Sequence, residues 1–422
     1  PDAQPTMHSS TKELSLRTPR ALYYIGMLLL CQLTFRPFGG ATLSDWFFLA
    51  SMVATVTVLL ANRRSPTTSL PPKLLLGVLV FVCGGALSSL GADSPLGSMA
   101  VMIRFVYVTV IWFWLGAAVL QTPSHVRTAQ ACWVVSATAT GAAAIAQLAF
   151  GDVIPNTTIA FGRMTGFTQH VNDLGGLSAI ALVPAIMFAT GHGSTSARRV
   201  LVYVPVIIIG IGLLLSGSIG GVLAACAGLG IWVVFGKGRN RLLVLLLIAA
   251  VGLVLVVKYQ QNAGGLSPRA SLTRVTGGAA DSEGTLHIRL ETLRAAWKSL
   301  VHNPVIGVGL DEKSSTLPST GLQVHNMFIG PWFEAGIMGL IGMLLTVGVL
   351  LRLGRASVSE SRTDRMLALS LYCALIAFLV FGMGAPVLYQ RYGWASAALV
   401  VALHARLRPA GPSHDLLARA RP

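Results

Sequence analysis

The sequence predicts an all-α polytopic membrane protein, and three observations carry that prediction. Hydrophobic residues make up 54% of the chain and charged residues only 11%, whereas a water-soluble domain carries about 25% charged residues. The apolar residues are gathered into runs, most of them near the roughly 20 residues that a helix needs to cross a hydrocarbon core. Polar and basic clusters separate these runs, as membrane topology requires. The same composition excludes a disordered chain, which needs low hydrophobicity and high charge. The net charge of +16 comes without a recognisable nucleic-acid-binding module, so no nucleic-acid partner is expected.

In chain order the runs predict about 12 transmembrane helices, within one transmembrane domain over residues 1–422. They lie near 21–35, 43–61, 74–91, 98–120, 129–150, 174–191, 200–216, 219–236, 242–258, 326–351, 366–385 and 392–405. Only Ser216, Gly217 and Ser218 separate the seventh from the eighth. No small-residue cleavage site follows the first run, so it reads as an uncleaved span. Most Lys and Arg fall on the N-terminal side, whereas short loops of the other side hold only Arg36, Arg163 and Arg391. The positive-inside rule then places both termini in the cytoplasm. Two outward segments remain large enough to hold chemistry, a smaller loop over 151–173 and a large loop over 259–325, before the tenth helix. In the large loop Ile288, Leu290, Leu293, Ala296, Trp297 and Leu300 recur at helical spacing, which predicts an amphipathic helix from Leu286 to Val301. Its basic residues suit lipid headgroups and its apolar stripe suits docking on the bundle. Pro304 ends it, and Gly307 and Gly309 allow a turn.

His325 opens the tenth span. A histidine there fits a general base, kept neutral by the positive end of the helix dipole. It equally fits a ring that caps the helix or bonds a loop carbonyl. Arg163 and Arg289 lie on the side where topology disfavours positive charge, and two arginine forks facing one cleft suit a diphosphate. Arg269 and Arg274 are placed to reinforce such a site, while headgroup contact or pairing with Asp281, Glu283 and Glu291 is the competing role. Arg104 and Glu334 are charges inside spans, and an Arg–Glu pair in the bundle would satisfy both. Glu334 lies nine residues past His325, or roughly 13 Å along a straight helix, too far to orient that ring. Gly336, Gly339 and Gly342 share a helical face and suit close packing. The five cysteines lie in apolar runs without CxxC spacing, so neither disulfides nor a zinc site is expected. With no Walker sequence, no HExxH and no clustered ligands, the sequence calls for no metal and no cofactor.

The string His325-Asn326, nine residues, Gly336, two residues, Gly339 resembles the signature of the bacterial O-antigen ligase and polymerase superfamily. Upstream, Arg289, Trp297, Pro304 and Gly307-Val308-Gly309 resemble that family's lead-in to the same histidine. The closest resemblance is to the lipopolysaccharide O-antigen ligase branch. It implies a glycosyltransferase of the bacterial inner membrane acting on its periplasmic face, without metal and with inversion. The implied partners are an undecaprenyl diphosphate-linked O-antigen donor, a lipid A-core acceptor and the membrane lipids. On this chain His325 would deprotonate the acceptor hydroxyl, and Arg289 and Arg163 would bind the diphosphate. Arg104, Arg269, Arg274, Asn326 and Arg391 are supporting candidates on the same side. The family often carries an arginine in a Ser-x-Ser-Arg-Gly string, where this chain reads Ser216-Gly217-Ser218-Ile219-Gly220. Arg163 and Arg104 are the candidates to replace it. A polymerase or a protein O-glycosyltransferase of the same superfamily shares the histidine string. Outside that class, a lipid-linked glycan transporter or flippase would need polar residues near the bilayer midplane, often at broken helices.

Overall fold

A computed structural model describes residues 16–36, 40–62, 70–151, 154–155, 157, 163–191, 196–235, 286–302, 304–361 and 363–407. Among the described residues twelve helices are longer than one turn: α1 Arg17–Leu28, α2 Leu43–Ala61, α3 Pro72–Ser89, α4 Pro95–Val119, α5 Pro123–Phe150, α6 Val171–Gly191, α7 Ser196–Ser216, α8 Ile219–Phe235, α9 Leu286–His302, α10 Ile329–Glu360, α11 Arg365–Gly382 and α12 Arg391–Leu407. The middle of α4 winds as a π-helix over Tyr107–Ile111, a local widening often found at functional sites. A two-stranded antiparallel hairpin, β1 Thr316–Leu317 and β2 Leu322–Gln323, lies between α9 and α10. Every expected span except the first and the ninth matches a helix closely; the first, 21–35, is helical only to Leu28, because α1 runs Arg17–Leu28. The ninth, 242–258, lies outside the described residues, as do Arg269, Arg274 and the large loop up to 285. Seven helices, α2 to α6 with α10 and α11, are long and apolar enough to cross a membrane, and α7 and α8 contribute shorter apolar helices. Apolar side chains such as Val53, Leu79, Ile207, Leu223 and Leu344 point outward, as they must where the solvent is hydrocarbon rather than water.

The connections sort to two ends of the bundle. At one end arginines close helix termini: Arg20 Nε donates to Val119 O, Arg406 Nε donates to Leu120 O, and Arg406 Nη2 donates to Ala117 O. Arg365 Nη2 donates to Phe235 O there, and Arg127 pairs with Asp364 at 2.8 Å. At the other end the loops bond to one another. Leu33 N–H reaches Phe167 O, Met164 N–H reaches Leu215 O and Met327 N–H reaches Gly382 O. Ser98 Oγ donates to Asp311 Oδ1 at 2.9 Å and receives the Leu310 and Asp311 N–H groups, which fixes the turn before the hairpin to the start of α4.

The centre of this architecture is the contact of α3 with α10. A Cβ on Gly77 would meet Thr346, one on Gly84 would collide with Ala335 O, and one on Gly342 would collide with the Phe81 and Gly77 backbone. Small residues thus bring two backbones together, which is how helices gain attraction in lipid. One expectation about these glycines fails. Gly336 does not share a helical face with Gly339 and Gly342, because its φ of 68° and ψ of −166° break α10 into two helical pieces. The break frees the Phe333 and Glu334 carbonyls and the Ile337 N–H from their helical partners. Residues 305–309 replace those partners: Val308 N–H donates to Phe333 O at 3.0 Å, Gly309 N–H to Glu334 O at 3.0 Å, and Ile337 N–H to Val305 O at 3.3 Å. A Cβ on Gly307 would collide with Glu334 O, and one on Gly336 with Val305 O. Both glycines are therefore required by backbone approach, and Gly336 by its left-handed φ as well.

The expected consequence is a sharp contrast between two glycines of α10. Gly336→Ala destabilises the protein by about 1–3 kcal/mol or more, from φ strain and the displaced backbone of Val305. Gly348, whose Cβ would meet open space, tolerates alanine with no loss. Thermal unfolding of the two variants in detergent checks this; equal stability would contradict the break.

Candidate active site

Three segments build the surroundings of His325. The helix α9 forms as the apolar spacing predicts, and Ala296 and Leu300 are buried on its inner face. They pack with Leu317 and Val324 of the hairpin region and Phe333 of α10, joined by Leu293, Val308, Ile329 and Trp332. Trp297 is 52% exposed rather than docked, and its ring meets Trp332 edge-on at 5.8 Å. This second small core presses the loop onto the bundle and holds the chain on either side of His325.

Asn326 fixes the turn itself. Its Oδ1 accepts the N–H groups of Phe328 and Ile329, both at 3.0 Å, and so caps the start of α10. Its Nδ2 donates to Met383 O at 3.2 Å. Met327 N–H donates to Gly382 O at 2.8 Å, and Arg289 Nη1 donates to Gly384 O at 2.9 Å. The carbonyls at the end of α11 therefore gather three donors from two different segments. Asn326 acts as a positioning residue, and Arg289 is aimed at the same corner. His325 and Arg289 line one cavity of about 200 Å3 with Thr292, Gln323, Asn326 and Gly384. Among the described residues the His325 ring makes no hydrogen bond, so both nitrogens are available to a ligand.

The electrostatics give a neutral imidazole, for a reason different from the one expected. Asn326 occupies the helix N–H groups, and the ring is instead pushed down to about 4 by burial first, then by the Arg289 cation and by His170. Burial also lowers the Arg289 pKa, yet a guanidinium stays charged at neutral pH. The site is thus a neutral base beside a fixed cation.

Arg163 is held elsewhere on the same rim. Its Nε donates to Ser216 O at 2.6 Å and its Nη2 to Asn172 Oδ1 at 2.8 Å. Asn172 N–H in turn donates to His170 Nδ1 at 3.1 Å, and His170 is close enough to His325 to depress its pKa. Arg163 is thus linked through Asn172 to His170, the residue just before α6 that acts electrostatically on His325. Sequence reasoning did not find His170. It lies in an irregular segment, and only the outward position of TQHVND hinted at it. Arg163 also reaches the Ser216–Ser218 turn that precedes Ile219.

Arg104 and Arg391 are not brought to the His325 cavity. They line a larger space of about 690 Å3 with Arg36, Tyr107, Gln169, Asp173, Glu312 and Tyr389. The expected Arg104–Glu334 pair is absent among the described ion pairs. The Arg104 guanidinium lies 5.8 Å from the Tyr389 ring centre, and Glu334 lines a small void that also touches Tyr389 and Asn326. Among the described residues no three His, Cys, Asp or Glu side chains converge as a metal site would need.

Residues 204–344 match the family model described as O-antigen ligase. The matched stretch runs from α7 through α10 and contains Arg289, His325, Asn326 and the Gly336 break. No curated protein gives a significant match to the chain.

The depressed pKa makes a direct prediction for the unliganded protein. At pH 5.5 the His325 ring stays neutral while ordinary histidines protonate. Arg289→Gln removes a repelling cation, so the His325 titration moves upward. Histidine-labelled NMR, assigned by loss of one signal in His325→Gln, reads both effects; a midpoint near 6.5 in the wild type would contradict the site geometry.

Proposed function

On the premise that residues 204–344 carry an O-antigen ligase domain, we propose that this protein is a membrane glycosyltransferase. It moves a glycan from undecaprenyl diphosphate to the lipid A-core, on the periplasmic face of the bacterial inner membrane, with both termini in the cytoplasm. The observation that carries the reading is the neutral His325 sharing a cavity with Arg289. A neutral imidazole is the form that accepts a proton, and a guanidinium is suited to receive a diphosphate.

In this mechanism the acceptor hydroxyl gives its proton to His325 as its oxygen forms a bond to the anomeric carbon. The bond from that carbon to the diphosphate oxygen breaks on the opposite face, so configuration inverts. Negative charge grows on the leaving diphosphate, and Arg289 stabilises it through charge-assisted hydrogen bonds. The bound diphosphate also offsets the Arg289 charge felt by the ring, raising its proton affinity when substrate is present. Arg163 is the second diphosphate ligand and replaces the arginine lacking at Ile219, because its guanidinium already sits on the Ser216 carbonyl of that turn. No step asks for a divalent ion. Asn326 keeps His325 in place by tying its turn to α10 and α11.

The break in α10 is the feature that favours a transporter. Its freed carbonyls at Phe333 and Glu334, however, accept the Val308 and Gly309 N–H groups. Those two carbonyls are therefore engaged in holding the loop before His325.

The test is transfer by purified protein given the polyprenyl diphosphate-linked glycan and lipid A-core in EDTA. His325→Ala abolishes transfer yet retains donor binding; full activity in that variant would remove the base assignment. Arg289→Ala weakens donor binding by roughly 1.5–3 kcal/mol, one charge-assisted bond, measured by displacement of labelled donor. Loss of activity in EDTA that a divalent ion restores would overturn the metal-free mechanism. Longer donor chains without acceptor modification would identify a polymerase.

A further inference from the structure

The large cavity beside the His325 site remains unassigned by this mechanism, and its lining is chemically mixed. Arg36, midway along the α1–α2 connection, donates to Gln169 Oε1 at 2.7 Å. Arg104 contributes from α4, immediately before its π-helical turn, and lies by the Tyr389 ring. Arg391 is already paired with Asp45 at 2.9 Å, and Asp173 accepts from Tyr392 at 3.0 Å. Among the described ion pairs none engages Arg36 or Arg104. Carboxylates, amides and phenols share the lining with apolar side chains.

This mixture fits a sugar better than a bare anion. Sugar hydroxyls need acceptors and donors together, tyrosine rings offer flat apolar faces, and two arginines without carboxylate partners suit a phosphate. The rim adds a second requirement. Trp46, Leu49 and Ile103 line the same cavity and are all exposed on the sides of α2 and α4, both long enough to span a membrane. A ligand here has its polar head between the arginines and an apolar tail along those helices.

The two cavities are neighbours. Gln169 lines the larger one and adjoins His170, which acts electrostatically on His325. Tyr389 lines the larger cavity and the small void, and the void shares Asn326 with the His325 cavity. We propose that the cavity bounded by Arg36, Arg104 and Tyr389, next to the His325 cavity, binds the phosphorylated sugar head of the acceptor glycolipid. The assignment of acceptor rather than donor rests on the transferase reading above, in which Arg289 and Arg163 take the donor.

Arg36→Gln and Arg104→Gln test it, with lipid A-core and the same molecule stripped of its phosphates as probes. Either variant is expected to raise the KM for phosphorylated acceptor by about tenfold or more, the loss of one charge-assisted bond. The donor KM stays unchanged, and the dephosphorylated acceptor is used equally by wild type and variants. Arg104→Lys keeps the charge and recovers part of the affinity, and unchanged donor binding certifies folding. An unmoved acceptor KM in both variants, with transfer intact, overturns the cavity assignment and leaves the ligase reading standing. A shift in donor binding instead also overturns it, since the cavity would then hold the polyprenyl diphosphate sugar. If wild type transfers nothing yet binds lipid A-core through its phosphates, and Arg104→Gln loses that binding, the cavity assignment holds and the ligase reading fails.

Discussion

Three backbone hydrogen bonds hold the rest of the site in place. Where Gly336 interrupts α10, residues 305–309 take over the partners of Phe333, Glu334 and Ile337. In hydrocarbon an unpaired carbonyl costs several kcal/mol, so the break and the docked segment stabilise each other and neither persists alone. The loop before His325 is fastened here, together with the small core beneath α9 and the bonds to the end of α11. The segment 305–309 follows α9 and precedes the hairpin, so its attachment sets the position of Arg289 on one side and His325 on the other. The packing of α3 against α10 through Gly77, Gly84 and Gly342 then joins this seam to the membrane-embedded core.

The chemistry at the cavity follows from burial more than from the helix it begins. A ring placed over the free N–H groups of α10 would feel the helix dipole, but the Asn326 side chain occupies those groups. Burial first, then the Arg289 cation and the neighbouring His170, leave His325 without its proton. The same arrangement makes the site responsive to its ligand. In the proposed transfer, diphosphate oxygens on Arg289 would offset its repulsion of the ring, the second cause of the lowered pKa after burial, so the base would gain strength once the leaving group is bound.

The helices were legible because apolar runs bounded by charge report membrane spans directly, and the amphipathic α9 was legible from its spacing. What sequence could not show was the backbone path at Gly336, since a glycine that breaks a helix and a glycine that packs one occupy the same place in a heptad-like pattern. The pairing of Arg104 with Glu334 was a reasonable use of two costly charges, yet Tyr389 stands near both and gives Arg104 an aromatic face instead. His170 was hidden because it has no periodicity and becomes relevant only through space. The histidine string was legible through its likeness to a known signature, while the division of the arginines between two cavities needed three dimensions.

The opposite end of the bundle carries a consequence of its own. Arg20 and Arg406, one at the start of α1 and one at the end of α12, both donate to carbonyls at the close of α4. In the orientation proposed above these cations would guide insertion, and in the folded protein they seal the negative end of a helix. Instruction and mortar are thus the same atoms. Charge swaps meant to reverse the protein in the membrane would also unseal α4, the helix that holds Arg104, so a reoriented chain would arrive with its terminal helices detached.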